Sequence, residues 1–149
     1  MEVKFKAVNP KIGREVPLPQ FATAGSAAMD LHACVDAPVT LKAGERAVIP
    51  TGLAMALPSG AYVALVFARS GLGIKKGVCL SNGVGVIDSD YRGEIAVGLV
   101  NLSAEDYTVQ PGDRIAQLMV VPVVQPTISL VPELDDTDRG SGGFGSTGR

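Results

Sequence analysis

The chain has 149 residues and a net charge of −2, because 13 lysines and arginines nearly balance 15 aspartates and glutamates. This length predicts one domain that buries a core without the help of a disulfide or a metal. The weakly acidic balance argues against general affinity for nucleic acid or for an anionic membrane. With a single histidine, a zinc site would lack its usual ligand set.

Short apolar segments separated by turn signals predict strands along most of the chain. Strands are expected at residues 3–7, 53–57, 62–68, 95–99 and 115–124, and turns at residues 58–60, 88–93 and 111–113. Segments that are apolar on both faces belong inside a sandwich or against another subunit. The pattern predicts an all-β fold, a distorted jelly-roll-like barrel or sandwich.

Helical periodicity is weak and confined to residues 70–76, where Ser70 is a candidate helix cap. Apolar patterning ends near residue 135, and five of the 18 glycines fall in the last ten residues. We therefore expect a β core over residues 1–134 and a mobile glycine-rich arm over residues 135–149.

Compartment is suggested by what the chain lacks. No apolar stretch approaches the roughly 20 residues that span a bilayer, and residues 1–6 lack the apolar core of a signal peptide. Cys34 and Cys79 lie in apolar segments, which is typical of reduced, structural cysteines. These features predict a cytoplasmic protein.

An acid-rich turn between two apolar strands carries the strongest chemical signal. Asp88 and Asp90 have the spacing of the first ligands of a calcium loop, but Arg92 and Leu99 occupy positions that such a loop needs for ligands. A plain hairpin loop is the simpler alternative. If the turn is catalytic, one carboxylate serves as a general base toward water, and Tyr91 provides a flat wall for a sugar or base.

The C-terminal segment has a composition suited to phosphates. Its glycine spacing is that of a Walker A loop, but the lysine is absent. A disordered end is the ordinary interpretation of such a segment. Arg139, Phe144, Ser146 and Thr147 nevertheless supply a cation, a stacking ring and two hydroxyls, and glycine-rich backbone can bind anions.

Three further segments carry polar side chains at strand ends. Arg69, Ser70 and Gly71 can offer a guanidinium and a tight turn to phosphate, although a surface salt bridge with a helix cap explains them equally. Gln117 interrupts an apolar strand, which a cross-strand hydrogen bond also explains. Asp30 follows a run of small residues and can be a turn carboxylate.

In this order and spacing, these five segments resemble the five motifs of the trimeric dUTPases (deoxyuridine triphosphate nucleotidohydrolases). The resemblance runs from about residue 23 to the end of the chain. It implies a jelly-roll-like subunit in a homotrimer with active sites at subunit boundaries, where the arm of one subunit closes over a site built by the other two. Ala68 departs from the pattern, because many members have proline there.

The resemblance also implies a reaction, in which dUTP and water give dUMP and pyrophosphate with Mg²⁺ chelated by the triphosphate. This activity limits uracil incorporation into DNA and supplies dUMP. By resemblance, Asp88 orients and deprotonates the water that attacks the α-phosphorus, and Asp30 lies near the water shell of the metal. The residues implied for the base and sugar are Asn82, Gly83, Val86, Ile87, Tyr91 and Phe144, and those for phosphate are Arg69, Ser70, Gly71, Gln117, Arg139, Ser146 and Thr147.

Three alternatives remain open at this stage. A dCTP deaminase shares the fold family but needs a glutamate to activate water at the base, where this chain offers Asp88. A non-catalytic β trimer could bind nucleotide or a protein as a regulator. A capsid-type structural jelly roll leaves the polar C-terminal segment unexplained.

Overall fold

The structure, a computed structural model, describes residues 1–143. The residues Phe144, Ser146 and Thr147, for which the family resemblance implies a role in nucleotide binding, lie outside that range. Residues 1–143 hold ten strands and one helix: β1 (Lys4–Ala7), β2 (Met29–His32), β3 (Val39–Leu41), β4 (Arg46–Ala56), β5 (Tyr62–Phe67), α1 (Ser70–Lys76), β6 (Val78–Leu80), β7 (Gly85–Ile87), β8 (Glu94–Asn101), β9 (Tyr107–Val109) and β10 (Arg114–Pro122).

The strands form two four-stranded antiparallel sheets and a small ribbon. One sheet has the order β1-β4-β8-β6, the other has the order β2-β10-β5-β7, and β3 pairs with β9. The strands predicted from alternation and from apolar runs are all present. The all-β prediction is therefore confirmed, in the form of a sandwich of two packed sheets.

The core lies between the two sheets. In β8, Ile95, Val97 and Leu99 are buried, whereas Glu94 and Ala96 are exposed, as the period of two predicts. The facing sheet contributes Leu31 from β2 and Leu118 from β10, both fully buried. Each such side chain contributes about 1.5–3 kcal/mol when removed from water.

The N-cap of helix α1 lies one residue earlier than predicted. Arg69, not Ser70, is the N-cap residue, with extended φ and ψ of −81° and 134°, and within residues 1–143 its side chain makes no cap bond. Ser70 is instead the first helical residue, so its prediction as the cap was wrong. The helix ends at Gly77, whose φ of +68° is the left-handed conformation that glycine adopts readily at this position.

Beyond β10, residues 123–143 contain no strand and no helix. Their apolar side chains are largely exposed, including Val124, Ile128, Leu130 and Leu134. No helix within residues 1–143 has the length and apolar character that crossing a membrane requires. Cys34 is buried and Cys79 half-buried, and both are free thiols, as predicted.

Candidate active site

A cleft of about 270 Å³ opens where the edge strands β6 and β7 meet β8. Its floor is apolar, made by the core residues Val66, Leu80, Ile95 and Val97. The structure brings most of the predicted base, sugar and catalytic residues to its wall, namely Asn82, Val86, Ile87, Asp88 and Tyr91. Gly83 lies in the connecting hairpin, with a φ of +74° and its N–H donated to the Leu80 carbonyl at 3.2 Å.

Local hydrogen bonds fix the turn that carries the candidate base. The Tyr91 N–H donates to the Asp88 carbonyl at 3.2 Å. The Arg92 guanidinium donates to the carbonyls of Ser89 and Tyr91, both at 2.8 Å. The Tyr91 hydroxyl donates to the Glu94 carbonyl at 3.1 Å. The turn therefore has a defined shape, to which Arg92 and Glu94 contribute hydrogen bonds that the sequence pattern does not predict.

Tyr91 packs so closely on Gly93 that any side chain at that position would have to displace the Tyr91 ring. A Cβ atom on Gly93 would lie 2.3 Å from the Tyr91 hydroxyl oxygen and 2.5 Å from the adjoining ring carbon. The order Tyr-Arg-Gly was the sequence signal for this contact, since only glycine allows a ring to fold back over the chain two residues later. Asp88 is exposed at the mouth of the same cleft, so its carboxylate can reach a water molecule beside a ligand held against Tyr91.

A second polar group lies on the other sheet, around Asp30. The Arg69 Nε donates to Asp30 Oδ1 at 2.9 Å, and Arg114 Nη1 donates to Asp30 Oδ2 at 3.2 Å. Arg69 also donates from Nη1 to the Arg114 carbonyl at 3.3 Å. The side chains of Asp30 and Arg69 are only 19% and 20% exposed, whereas Arg114 is 56% exposed. Two guanidinium groups and one carboxylate leave this group with one net positive charge, which suits an anionic ligand.

Gln117 stands beside this charged group in the middle of the sheet. On β10 it pairs with Asp30 of β2 on one side and with Phe67 of β5 on the other. Asp30 and Gln117 line a second cleft of about 330 Å³ together with Gln20 and Ser26. Ser70 and Gly71, exposed at the start of α1, follow Arg69 directly.

His32 adjoins the same group but differs from it electrostatically. Within residues 1–143 its buried Nδ1 has no hydrogen-bond partner. Burial lowers the pKa of His32 below its ordinary value of 6.5, and the nearby Asp30 opposes this shift while Arg114 and Arg69 add to it. The imidazole is therefore neutral near pH 7. Among the described residues, no group of three or more His, Cys, Asp or Glu side chains is placed to hold a metal ion.

The cleft around Asp88 and the charged group around Asp30 do not form one site within a single chain. Ile87, next to Asp88, pairs with Ala64 of β5, whereas Gln117 pairs with Phe67, and Asp30 lies one strand beyond Gln117. At about 3.4 Å per residue and about 4.8 Å between strands, Asp88 is roughly 15–20 Å from Gln117 and Asp30.

Arg139 lies in a turn of its own segment. Its Nε donates to the Gly142 carbonyl at 2.9 Å, and the Gly142 N–H donates to the Arg139 carbonyl at 3.1 Å. The Gly140 N–H closes the turn with Thr137. The partners of Arg139 in the described residues are therefore local, and the structure does not bring it to either cleft.

Comparison with known proteins shows consistent similarity along the chain. Residues 14–148 match the family model described as dUTPase. The chain is 51% identical over 148 residues to the deoxyuridine 5′-triphosphate nucleotidohydrolase of Idiomarina loihiensis, with 99% of this chain and 98% of that protein covered. It is 47% identical over 148 residues to the protein of the same name from Escherichia coli O45:K1, with the same coverage.

Solved structures show the same fold. A variant of the Staphylococcus bacteriophage 80alpha dUTPase with dUpNHpp has a TM-score of 0.87 and 26% identity, with 99% of each chain covered. A dUTPase variant from phage phi11 of S. aureus, described with a structural Mg(II) ion, has a TM-score of 0.78 at 23% identity, with 91% of this chain and 100% of that chain covered. The latter supports the fold alone. By the match of the family model and the identity to these relatives, the chain belongs to the dUTPase family.

Proposed function

We propose that this chain hydrolyses dUTP to dUMP and pyrophosphate, and thereby limits uracil incorporation into DNA and supplies dUMP. The observation that carries the proposal is the first cleft, where Asp88 and Tyr91 share one wall with Asn82 in a member of the dUTPase family. The relative from Idiomarina loihiensis, named for this activity, is 51% identical over nearly its whole length. The free cysteines suit the reducing cytoplasm, where we place the reaction.

In this proposal the first cleft holds the deoxyuridine. Asn82 and the main chain of Gly83, Val86 and Ile87 read the edge of uracil, because buried donors and acceptors reject a mismatched base far more strongly than apolar fit does. Tyr91 packs under deoxyribose and leaves no room for a 2′-hydroxyl. Asp88 orients the attacking water and accepts its proton as the water adds to the α-phosphorus.

In this proposal the phosphates are bound by the charged group around Asp30 and by the C-terminal arm over residues 135–149. Arg69 and Arg139 neutralise the charge that develops on the phosphate oxygens, which is a main source of rate enhancement in such reactions. Phe144 stacks on uracil as the arm closes over the site. The remaining proposed phosphate contacts are Ser70, Gly71, Gln117, Ser146 and Thr147.

Mg²⁺ fits this arrangement as a companion of the substrate. Mg²⁺ prefers oxygen ligands and keeps several of its waters. Phosphate oxygens and waters can therefore fill its coordination shell without a set of protein ligands. The second cleft offers oxygens from Asp30, Gln117 and Ser26, which can accept hydrogen bonds from those waters. When bound, the ion adds positive charge to the triphosphate and fixes its conformation.

We further propose that each active site is shared between subunits of a homotrimer. The support is the separation of roughly 15–20 Å, estimated from strand spacing, between Asp88 and the residues around Asp30. The three phosphorus atoms of a triphosphate are joined through single bridging oxygens, so a triphosphate that lies beside Asp88 extends over less than that separation. A symmetric assembly resolves this, because the second group of one subunit can face the first cleft of its neighbour.

The reaction is tested by measuring pyrophosphate release with Mg²⁺ from dUTP, UTP, dCTP and dTTP in parallel. Rapid release from dUTP alone is the expected result, since the cleft must read both the base and the sugar. Ammonia release from dCTP would instead support a deaminase. Absence of turnover with every nucleotide would overturn the proposed enzyme.

Sharing of the site is tested by complementation. The variants Asp88→Asn and Arg69→Gln, each inactive alone, are co-expressed with different affinity tags, and the doubly tagged assembly is isolated. A mixed trimer retains a site with both native residues only if they come from different subunits. Recovered dUTP hydrolysis therefore supports a shared site, and a doubly tagged assembly without activity contradicts it.

A further inference from the structure

Strand β4 carries a bulge behind the first cleft. Its pairing with β8 shifts register between Pro50 and Ala54, which places Thr51 and Gly52 in the irregular segment. Gly52 has a φ of +71°, and a Cβ atom there would lie 2.7 Å from the Cys34 sulfur. Such bulges often set the direction of a neighbouring side chain at a functional site.

Two hydrogen bonds fasten this bulge to the first residues of β8. The Thr51 hydroxyl donates to the Ile95 carbonyl at 2.6 Å, and Thr51 is fully buried. The Gly52 N–H donates to Glu94 Oε1 at 2.7 Å. A backbone N–H that meets a carboxylate forms a charge-assisted hydrogen bond, which is stronger than one between neutral groups.

Glu94 also contacts the cleft through its main chain. Its carbonyl accepts the hydrogen bond of the Tyr91 hydroxyl at 3.1 Å, and Glu94 itself lines the cleft. Glu94 therefore accepts one hydrogen bond from the β4 bulge with its carboxylate and another from the Tyr91 hydroxyl with its carbonyl. The Glu94 carboxylate is therefore engaged in supporting the backbone, whereas the side chain of Asp88, which lines the same cleft, is exposed.

We propose that Glu94 is a positioning residue that sets the preference for 2′-deoxynucleotides over ribonucleotides. This inference rests on the proposed function, since it assigns to Tyr91 the rejection of the 2′-hydroxyl. The Tyr91 ring excludes a hydroxyl group only if the ring cannot move aside. The position of such a ring depends on the hydrogen bonds made by the residues that support it. The bond between Glu94 and Gly52 fixes the start of β8, and with it the acceptor that orients Tyr91.

Three variants distinguish a loss of Tyr91 positioning from a general loss of stability of the folded chain. Glu94→Ala removes the carboxylate acceptor, and Glu94→Gln keeps an oxygen that can accept the Gly52 N–H. Glu45→Ala is the matched control, because Glu45 Oε2 accepts the Lys42 N–H at 2.9 Å in the turn before β4, away from the cleft. Glu94→Ala and Glu45→Ala each remove one hydrogen bond between a carboxylate and a backbone N–H, whereas Glu94→Gln keeps a neutral acceptor.

The measured quantity is the ratio of kcat/KM for dUTP to kcat/KM for UTP, with urea unfolding of each variant alongside. Glu94→Ala should lower the ratio about tenfold, mainly because kcat/KM for UTP rises when the Tyr91 ring no longer excludes the 2′-hydroxyl. Glu94→Gln and Glu45→Ala should leave it within about twofold of the wild-type value. Hydrogen exchange at the Gly52 amide should speed up in Glu94→Ala and remain slow in Glu94→Gln.

The outcomes distinguish this inference from the function on which it rests. If the wild-type chain prefers dUTP and Glu94→Ala keeps the full preference, the role of Glu94 is overturned and the function stands. If Glu45→Ala lowers the ratio as much as Glu94→Ala, the effect is one of stability and the role is likewise overturned. A wild-type chain that hydrolyses dUTP and UTP equally overturns the role of Glu94 and the sugar selection assigned to Tyr91, whereas a wild-type chain that hydrolyses neither nucleotide overturns the proposed function.

Discussion

Arg69 and Asp30 form an ion pair across the middle of a sheet, with Nε of Arg69 2.9 Å from Oδ1 of Asp30. Asp30 lies on β2, and Arg69 follows β5, so the pair bridges the two neighbours of β10. Arg114 of β10 donates to the other oxygen of the same carboxylate. Asp30 therefore ties the proposed phosphate-binding arginine to the fold before any ligand arrives.

Asp30→Asn should destabilise the folded chain, because two guanidinium groups lose their shared negative partner. The side chains of Asp30 and Arg69 are about four-fifths buried, and a hydrogen bond to a charged group at such a position contributes about 1.5–3 kcal/mol. Urea unfolding at pH 7 measures the loss. Asp36→Asn is the control, because Asp36 pairs with Lys11 while its side chain is 93% exposed, and exposed pairs contribute little. Equal losses in the two variants would mean that the Asp30 pair adds nothing special.

Asp88→Asn should abolish turnover of dUTP while leaving nucleotide binding intact. An amide of the same size cannot accept the proton of the attacking water, and loss of a general base lowers kcat by about 10²–10⁴-fold. Stopped-flow kinetics with dUTP and calorimetric binding of dUpNHpp measure the two effects separately. Asp90→Asn, in the same turn, serves as the control and should retain kcat within about twofold. Normal kcat in Asp88→Asn would refute its assignment as the base.

Gly93→Ala should relax selection against the 2′-hydroxyl with little loss of stability. The added Cβ would lie 2.3 Å from the Tyr91 hydroxyl oxygen, so the ring must move. Because the conflict is with the end of a side chain rather than with the backbone, the fold can accommodate it. The ratio of kcat/KM for dUTP and UTP reports the change, and Gly60→Ala, where the nearest atom is 3.8 Å away, is the control. An unaltered ratio would show that Tyr91 does not exclude the hydroxyl.

Cys34 should react slowly with thiol reagents in the folded chain. Burial raises the pKa of the Cys34 thiol, and the Lys11 ammonium opposes that shift by a smaller amount. The neutral thiol is thus favoured, and the thiolate is the reactive form. In a Cys79→Ser variant, labelling at pH 8 should be at least about tenfold slower in buffer than in urea. Equal rates in buffer and urea would show that the thiol is accessible and unperturbed.

Local pattern predicts much of this fold. The alternation of Ile95, Val97 and Leu99 with exposed neighbours follows from the period of a strand, so the sequence alone identifies the buried face of β8. The cleft around Asp88 and Tyr91 is also predictable, because both residues lie in one turn and the next strand begins within a few residues.

Contacts between distant segments are not predictable in this way. The bond from Gly52 to Glu94 joins residues 42 apart, and the one from Arg114 to Asp30 joins residues 84 apart. Both depend on strand register, and both registers include a shift that no alternation pattern reveals. Ser70 was mistaken for the cap for a related reason, since the path of β5 into the helix decides which residue leaves helical φ and ψ.

The most direct measurement is the fate of solvent oxygen when the wild-type chain hydrolyses dUTP with Mg²⁺ in H₂¹⁸O. If water held by Asp88 attacks the α-phosphorus, mass spectrometry should find one ¹⁸O atom in the phosphate of dUMP and none in pyrophosphate. Label in pyrophosphate would place the attack at the β-phosphorus and contradict the proposed chemistry. Failure to form dUMP at all would contradict the proposed function itself.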